Sequence, residues 1–153
     1  MSDPVVKEVF IDALPSVVFQ FLTDPAKMIR WMGIRAEIDP RPGGVYWLDP
    51  NGRDFIRGEY VEVIPDRRVV FTWGFEKPSI GMPAVPAGST RVEIDLQPEG
   101  RGTRVRLTHR QLPPDATERH EIGWAHYLDR LRAVSEGAEP GPDPFADVSI
   151  RHG

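Results

Sequence analysis

The chain has 153 residues, of which 40% are hydrophobic and 27% charged, and its net charge is −4. This length predicts one domain with a sizeable core. The negative charge gives no general attraction to phosphate groups, so we expect no nucleic-acid partner. No apolar run approaches the ~20 residues of a membrane helix, so no membrane insertion is expected. Cysteine is absent, which excludes disulfides and thiol chemistry, and the lack of a signal peptide predicts a cytoplasmic protein.

The N-terminal region predicts a strand followed by two short helices. Apolar and polar residues alternate from Val5 to Ile11, as in a strand. Pro15 suits the first turn of a helix, where its missing N–H needs no partner. Asp24 is predicted to cap a second helix that begins at Pro25 and ends before Gly33.

Six further strand-like runs follow, and turn residues separate them. The turn at Asp49-Pro50-Asn51-Gly52 is typical of a hairpin, because Asn-Gly accepts positive φ at little cost. Such successive hairpins predict an antiparallel meander, with seven strands in total when the first is counted. The six runs are residues 34–38, 45–49, 55–64, 69–75, 91–96 and 103–109.

A long helix is predicted after Pro113-Pro114, capped by Asp115 or Thr117 and running to about Glu136. Residues 1–137 are predicted to form the domain, and the Pro-rich tail 138–153 is predicted to be flexible. Helical spacing places five side chains in one apolar stripe: Trp124, Tyr127, Leu128, Leu131 and Val134.

This order of elements, with several local motifs, resembles the SRPBCC or START-like superfamily over roughly residues 5 to 135. More closely, it resembles the family named after the C-terminal domain of the activator of the heat-shock-protein 90 ATPase. The resemblance implies an α+β helix-grip fold, in which a curved antiparallel seven-stranded sheet wraps around the long C-terminal helix. The motifs are Thr23-Asp24-Pro25 with Trp31, Pro42-Gly43-Gly44-Val45-Tyr46, Gly58-Glu59-Tyr60-Val61-Glu62-Val63, Pro65 to Trp73, Gly102 to His109, and Gly123-Trp124 with Leu128 and Leu131.

The resemblance also carries expectations about function. Relatives in the superfamily bind lipids, aromatic polyketides or plant hormones, and a few catalyse cyclisation or hydrolysis. It therefore implies a small hydrophobic or aromatic ligand in a cavity between the sheet and the C-terminal helix. In the eukaryotic co-chaperones the similar domain follows another domain that makes much of the chaperone contact. This chain shows no such preceding domain, so a chaperone partner is the weaker expectation.

Strand periodicity predicts which side chains face the long helix, and hence the ligand. Val61 and Val63 imply that Arg57 and Glu59 also point inward, unless a β-bulge near Gly58 changes the phase. Apolar walls with a few polar groups are typical of a small-molecule site; the alternative is a plain core with Arg57 and Glu59 paired at its rim. The predicted ligand-binding residues are Met28, Trp31, Tyr46, Phe55, Arg57, Glu59, Phe71, Trp73, His109, Trp124, Tyr127 and Leu128.

Catalytic signatures are weak. The sequence has no HExxH, GxSxG or Walker-type motif, and its histidines lack metal-ligand spacing, so we expect neither a metal nor a cofactor. The best catalytic candidates are His109 and Glu59, as acid and base in an enzyme of the cyclase, hydratase or hydrolase type. A structural His109, hydrogen-bonded across the strands, is the favoured alternative, and a binding protein is therefore favoured over an enzyme.

Residues 76–88 form a long loop rich in proline and glycine. Its apolar residues Ile80, Met82 and Val85 lie in a connection that should be solvated. They predict either a lid over the mouth of the pocket or a contact in a homodimer, and the sequence favours neither.

Overall fold

A computed structural model describes residues 3–78 and 84–144 of the chain. Seven strands form one antiparallel sheet in the order β1-β7-β6-β5-β4-β3-β2, so β1 lies beside the last strand of a meander. The predicted helix-grip fold is confirmed. The elements are β1 (Val5–Ile11), α1 (Pro15–Thr23), α2 (Pro25–Met28), β2 (Arg35–Ile38), β3 (Val45–Asp49), β4 (Ile56–Ile64), β5 (Arg68–Trp73), β6 (Thr90–Glu99), β7 (Gly102–Arg110) and α3 (Thr117–Ser135).

The two short helices fill one end of the sheet. Both begin at a proline, and the side chain of Asp24 caps α2 by accepting the backbone N–H of Ala26 at 2.9 Å. Helix α2 ends earlier than predicted, and turns continue the chain as far as Met32. Trp31 in these turns is buried, and its indole N–H donates to the carbonyl of Phe21 at 2.8 Å. This hydrogen bond joins the turns to α1.

Helix α3 packs its apolar stripe against the sheet. Leu128, Leu131 and Val134 are buried, as the helical spacing predicts. The predicted side-chain cap is wrong: no side chain caps α3, because a 3₁₀ turn (Pro114–Ala116) runs straight into it. No helix within residues 3–78 and 84–144 is long and apolar enough to cross a membrane.

The chain beyond α3 returns along the helix. Arg130 donates from Nε to the carbonyl of Trp31 at 3.1 Å and from Nη1 to the carbonyl of Gly141 at 3.0 Å. The imidazole Nε2 of His126 lies 2.8 Å from a carboxylate oxygen of Asp143. The first part of the predicted tail is therefore hydrogen-bonded to the domain. Residues 145–153 lie outside the described part of the chain, and the boundary at residue 137 stays a prediction.

A β-bulge at Val61 decides which side chains of β4 face the core. Tyr60 pairs with Phe71 of β5, and the register then shifts so that Glu62 pairs with Val70. Tyr60 is buried, whereas Val61 is 39% exposed. The bulged residue thus reverses the inward-outward alternation along the strand.

Arg57 and Glu59 consequently lie on the outer face of the sheet and are exposed. Ile56, one residue earlier, is buried, and Arg57 donates from Nε to the Glu76 carboxylate at 2.6 Å. The prediction that Arg57 and Glu59 point inward is wrong. The bulge reverses the inward-outward alternation along β4, so the orientation of Val63 does not extend back to Arg57 and Glu59.

Candidate functional site

A cavity of about 560 Å³ lies between one end of the sheet and the N-terminal half of α3. This volume lies within the range of small-molecule sites. Its walls come from the β3–β4 loop, the end of β5, residues 84–87 and residues 116–127. Most of the inner lining is apolar: Met32, Ile56, Trp73, Phe75, Val85 and Trp124.

The β3–β4 loop forms a wall held by its own hydrogen bonds. Asn51 is buried, and its side-chain oxygen accepts the backbone N–H groups of Arg53 at 3.0 Å and Asp54 at 2.8 Å. Its amide nitrogen donates to the Asp54 carboxylate at 2.7 Å. Asn51 therefore shapes the cavity while its own polar atoms are already engaged.

The second half of the long loop forms another wall. The backbone N–H of Phe75 donates to the carbonyl of Val85 at 2.7 Å, and Val85 is buried. The backbones approach so closely here that a Cβ at Gly74 would lie 1.8 Å from the carbonyl oxygen of Pro86. Ile80 and Met82 lie outside the described residues, so both the lid and the homodimer contact stay predictions.

His109 lies behind the cavity wall, fully buried, with both ring nitrogens engaged. Its Nδ1 accepts the indole N–H of Trp124 at 2.9 Å, and its Nε2 lies 2.8 Å from the Thr90 hydroxyl. That hydroxyl donates its single proton to the carbonyl of Trp73 at 2.7 Å. His109 Nε2 must therefore carry the proton donated to Thr90, which makes the ring neutral and fixes its tautomer.

Electrostatics keep His109 neutral. Burial, together with a smaller effect of the neighbouring His120, lowers the pKa of His109 to about 3. Since Glu59 lies on the outer face of the sheet, the predicted acid–base pair of His109 and Glu59 is not brought together. Instead, His109 is hydrogen-bonded across β6 and β7, which is the structural alternative.

His120 also lines the cavity, although it is not among the predicted ligand-binding residues. Its Nδ1 lies 2.9 Å from the carbonyl oxygen of Ala116, which can only accept, so Nδ1 carries the ring proton. Burial lowers the pKa of His120, although the Ala116 carbonyl opposes this shift. The available signal was helical spacing, because His120 lies four residues before Trp124 on the same face.

Three of the twelve predicted ligand-binding residues line the cavity: Trp73, Trp124 and Tyr127. Five others are buried in the packed core that fills the rest of the space between sheet and helix: Met28, Trp31, Tyr46, Phe71 and Leu128. There Tyr46 stacks on Phe71 with ring centroids 4.0 Å apart. Phe55 is half-buried against Trp47, with ring centroids 5.6 Å apart, and does not border the cavity.

Residues 12–136 match the model of the family described as activator of Hsp90 ATPase homolog 1-like protein. The solution structure of an AHSA1-like protein from Rhizobium etli is 47% identical, over 93% of this chain and 87% of that one, with a TM-score of 0.72. CalU16 from Micromonospora echinospora is 29% identical, over 93% and 70%, with a TM-score of 0.73. The Aha1 dimer from Colwellia psychrerythraea is 21% identical, over 90% and 99%, with a TM-score of 0.74, a likeness of fold alone. No curated protein matches. The chain belongs to the activator of Hsp90 ATPase homolog 1-like family.

Proposed function

We propose that the protein binds a small hydrophobic or aromatic molecule in the cavity between the sheet and α3. The observation that carries this proposal is a volume of about 560 Å³ with apolar and aromatic walls. The aromatic side chains of Trp73, Phe75 and Trp124 line the cavity, and the polar residues Glu76 and Lys77 are exposed. Apolar walls with few polar groups are what small-molecule sites have in common.

Gly123 is a second feature that supports the proposal. It lies inside α3, where glycine costs about 1 kcal/mol relative to alanine. It borders the cavity, and a Cβ built there meets no heavy atom within 4 Å. A larger side chain at this position has room to extend into the cavity, whereas glycine leaves that space open.

The first test is to identify a bound molecule. The purified protein is extracted with organic solvent for mass spectrometry, and a thermal-shift screen covers fatty acids, aromatic polyketides and sterols. A ligand at a hundredfold excess over its Kd stabilises the fold by about 2.7 kcal/mol. A stoichiometric molecule in the extract, or a shift of several degrees, is the expected result.

Two variants link that result to the cavity. Gly123→Phe places a ring in the cavity and should abolish the ligand-induced shift. Ala125→Phe is the matched control, because Ala125 is exposed on the same helix and the added ring points to solvent. If the screen and the extract yield no ligand, or if Gly123→Phe binds as tightly as the control, the proposal is wrong.

A homodimer is a separate proposal for the same protein. The likeness to a structure described as an Aha1 dimer motivates it, although that likeness is one of fold. Light scattering on the purified chain tests it directly. A mass of one chain at high concentration would exclude a stable dimer.

A further inference from the structure

A chain of hydrogen bonds behind the cavity joins two residues of its wall. The Thr90 hydroxyl on β6 donates to the backbone carbonyl of Trp73 on β5 at 2.7 Å and accepts from Nε2 of His109 on β7 at 2.8 Å. Nδ1 of the same imidazole accepts the indole N–H of Trp124 on α3 at 2.9 Å. The hydrogen bonds therefore connect three adjacent strands to the helix.

The two ends of this chain border the cavity, and its two middle members do not. Trp73 and Trp124 line the cavity, with ring centroids 5.1 Å apart. Thr90 is 1% exposed and His109 is 0% exposed, so a ligand in the cavity has no access to them. Any effect of these two residues on ligand binding must therefore pass through the tryptophans.

The Thr90 hydroxyl decides which nitrogen of His109 carries the proton. It has a single proton, and because that proton goes to the Trp73 carbonyl, the hydroxyl can only accept from the imidazole. This keeps the ring proton on Nε2 and leaves Nδ1 free to accept the indole N–H of Trp124. Without the hydroxyl the proton would be free to move to Nδ1, where it would oppose the indole N–H, donor against donor.

We propose that Thr90 and His109 are positioning residues of the binding site, which fix the indole of Trp124 in the cavity wall before a ligand enters. This inference rests on the proposed function and deepens it. A wall side chain that is already ordered loses little conformational entropy on binding, whereas ordering a mobile one weakens affinity roughly two- to tenfold.

Two substitutions of Thr90 form a matched pair. Thr90→Ser retains the hydroxyl and both of its hydrogen bonds, whereas Thr90→Val keeps nearly the shape of threonine but can neither donate nor accept. A direct readout is the indole N–H resonance of Trp124 in nitrogen-15 NMR of the full chain. It should move in Thr90→Val and stay near its wild-type position in Thr90→Ser. A loss of stability alone does not shift a resonance of the folded protein.

Affinity is measured at neutral pH with 1-aminoanthracene, a neutral fluorescent molecule of three fused rings. Thr90→Val should bind it roughly two- to tenfold more weakly than wild type, and Thr90→Ser should bind it with an affinity within about twofold of wild type. His109→Leu should show the same loss as Thr90→Val. His109→Gln retains a donor and an acceptor, so its loss should be smaller.

Equal affinity of Thr90→Val and wild type would overturn the inference, and so would an unmoved Trp124 resonance in Thr90→Val. An equal loss in Thr90→Ser would also overturn it, because that loss would not depend on the hydroxyl. If Gly123→Phe still abolished binding in these cases, the proposed function would stand without the inference. If the probe did not bind but the extract or the screen yielded a ligand, that ligand would take its place in the same comparison. If no molecule bound at all, both would fall.

Discussion

Lowering the pH from 8 to 5 should destabilise the fold through His109. Burial, with a smaller effect of His120, lowers its pKa to about 3 in the folded protein, against an ordinary value of 6.5 in the unfolded chain. Below about pH 6.5 the unfolded state thus binds more protons than the folded state. The free energy of unfolding therefore decreases as the pH is lowered, down to about pH 3. With these two pKa values, linkage gives a loss of about 2 kcal/mol at pH 5 relative to pH 8.

Other titratable groups near His109 also affect how stability depends on pH, and the directions of their pKa shifts are known. His120 faces it with ring centroids 5.1 Å apart, and since burial also lowers the pKa of His120, its loss has the same sign. Carboxylates remain mostly ionised over this range. Burial of Glu93 raises its pKa, but hydrogen bonds from Arg91 and Arg110 outweigh burial and lower the pKa overall. The drop in stability therefore comes mainly from the histidines.

Urea unfolding at both pH values measures the effect in the wild-type protein, in His109→Gln and in His126→Gln. Glutamine at 109 retains a donor for Thr90 and an acceptor for Trp124, but it does not titrate. His109→Gln should lose about 2 kcal/mol less than wild type between the two pH values. His126→Gln is the matched control for the loss of a histidine, since His126 lies outside this network and is bonded to Asp143 instead. An equal drop in wild type and His109→Gln would refute the assignment of a buried neutral His109.

Three substitutions test other parts of the structure. Trp124→Phe removes the donor to His109 Nδ1 and leaves a buried acceptor unpaired, so urea unfolding should show that the free energy of unfolding falls by about 1–3 kcal/mol. No measurable loss would contradict the hydrogen bond. Gly58→Ala places a Cβ 1.8 Å from the carbonyl oxygen of Thr72, so thermal unfolding should show that the free energy of unfolding falls by more than about 2 kcal/mol. An unchanged melting temperature would argue against the close approach of β4 and β5. Glu59→Gln changes an exposed side chain on the outer face, so stability should change by less than about 0.5 kcal/mol and ligand affinity should stay the same. A large loss of affinity would indicate that Glu59 points inward.

Much of the fold was predictable because its signals are local. Pro15 and Pro25 mark the starts of the two short helices, and Asp24 caps the second because its carboxylate reaches an N–H two residues on. The apolar stripe of α3 follows from helical spacing alone. Each of these features depends on residues within a few positions of one another.

The orientation of β4 shows where this reasoning fails. Alternation along a strand assigns side chains to the two faces of the sheet only where no β-bulge interrupts the strand. One extra residue at Val61 shifts the register with β5 and turns Arg57 and Glu59 outward. The bulge depends on how β4 pairs with β5, so the sequence pattern of β4 alone does not reveal it.

The sequence by itself determined the order of the elements, the meander and an apolar face on α3, and its family resemblance implied the helix-grip fold. The tertiary structure alone decided that most of this face packs into a core, and that a cavity lies beside Trp73, His120 and Gly123. It also decided that both ring nitrogens of the neutral His109 are hydrogen-bonded, and that His120 lines the cavity with its Nδ1 bonded to the carbonyl of Ala116. Local patterns fix periodicity and caps, whereas a cavity and a tautomer depend on which distant side chains meet, and only packing sets those distances.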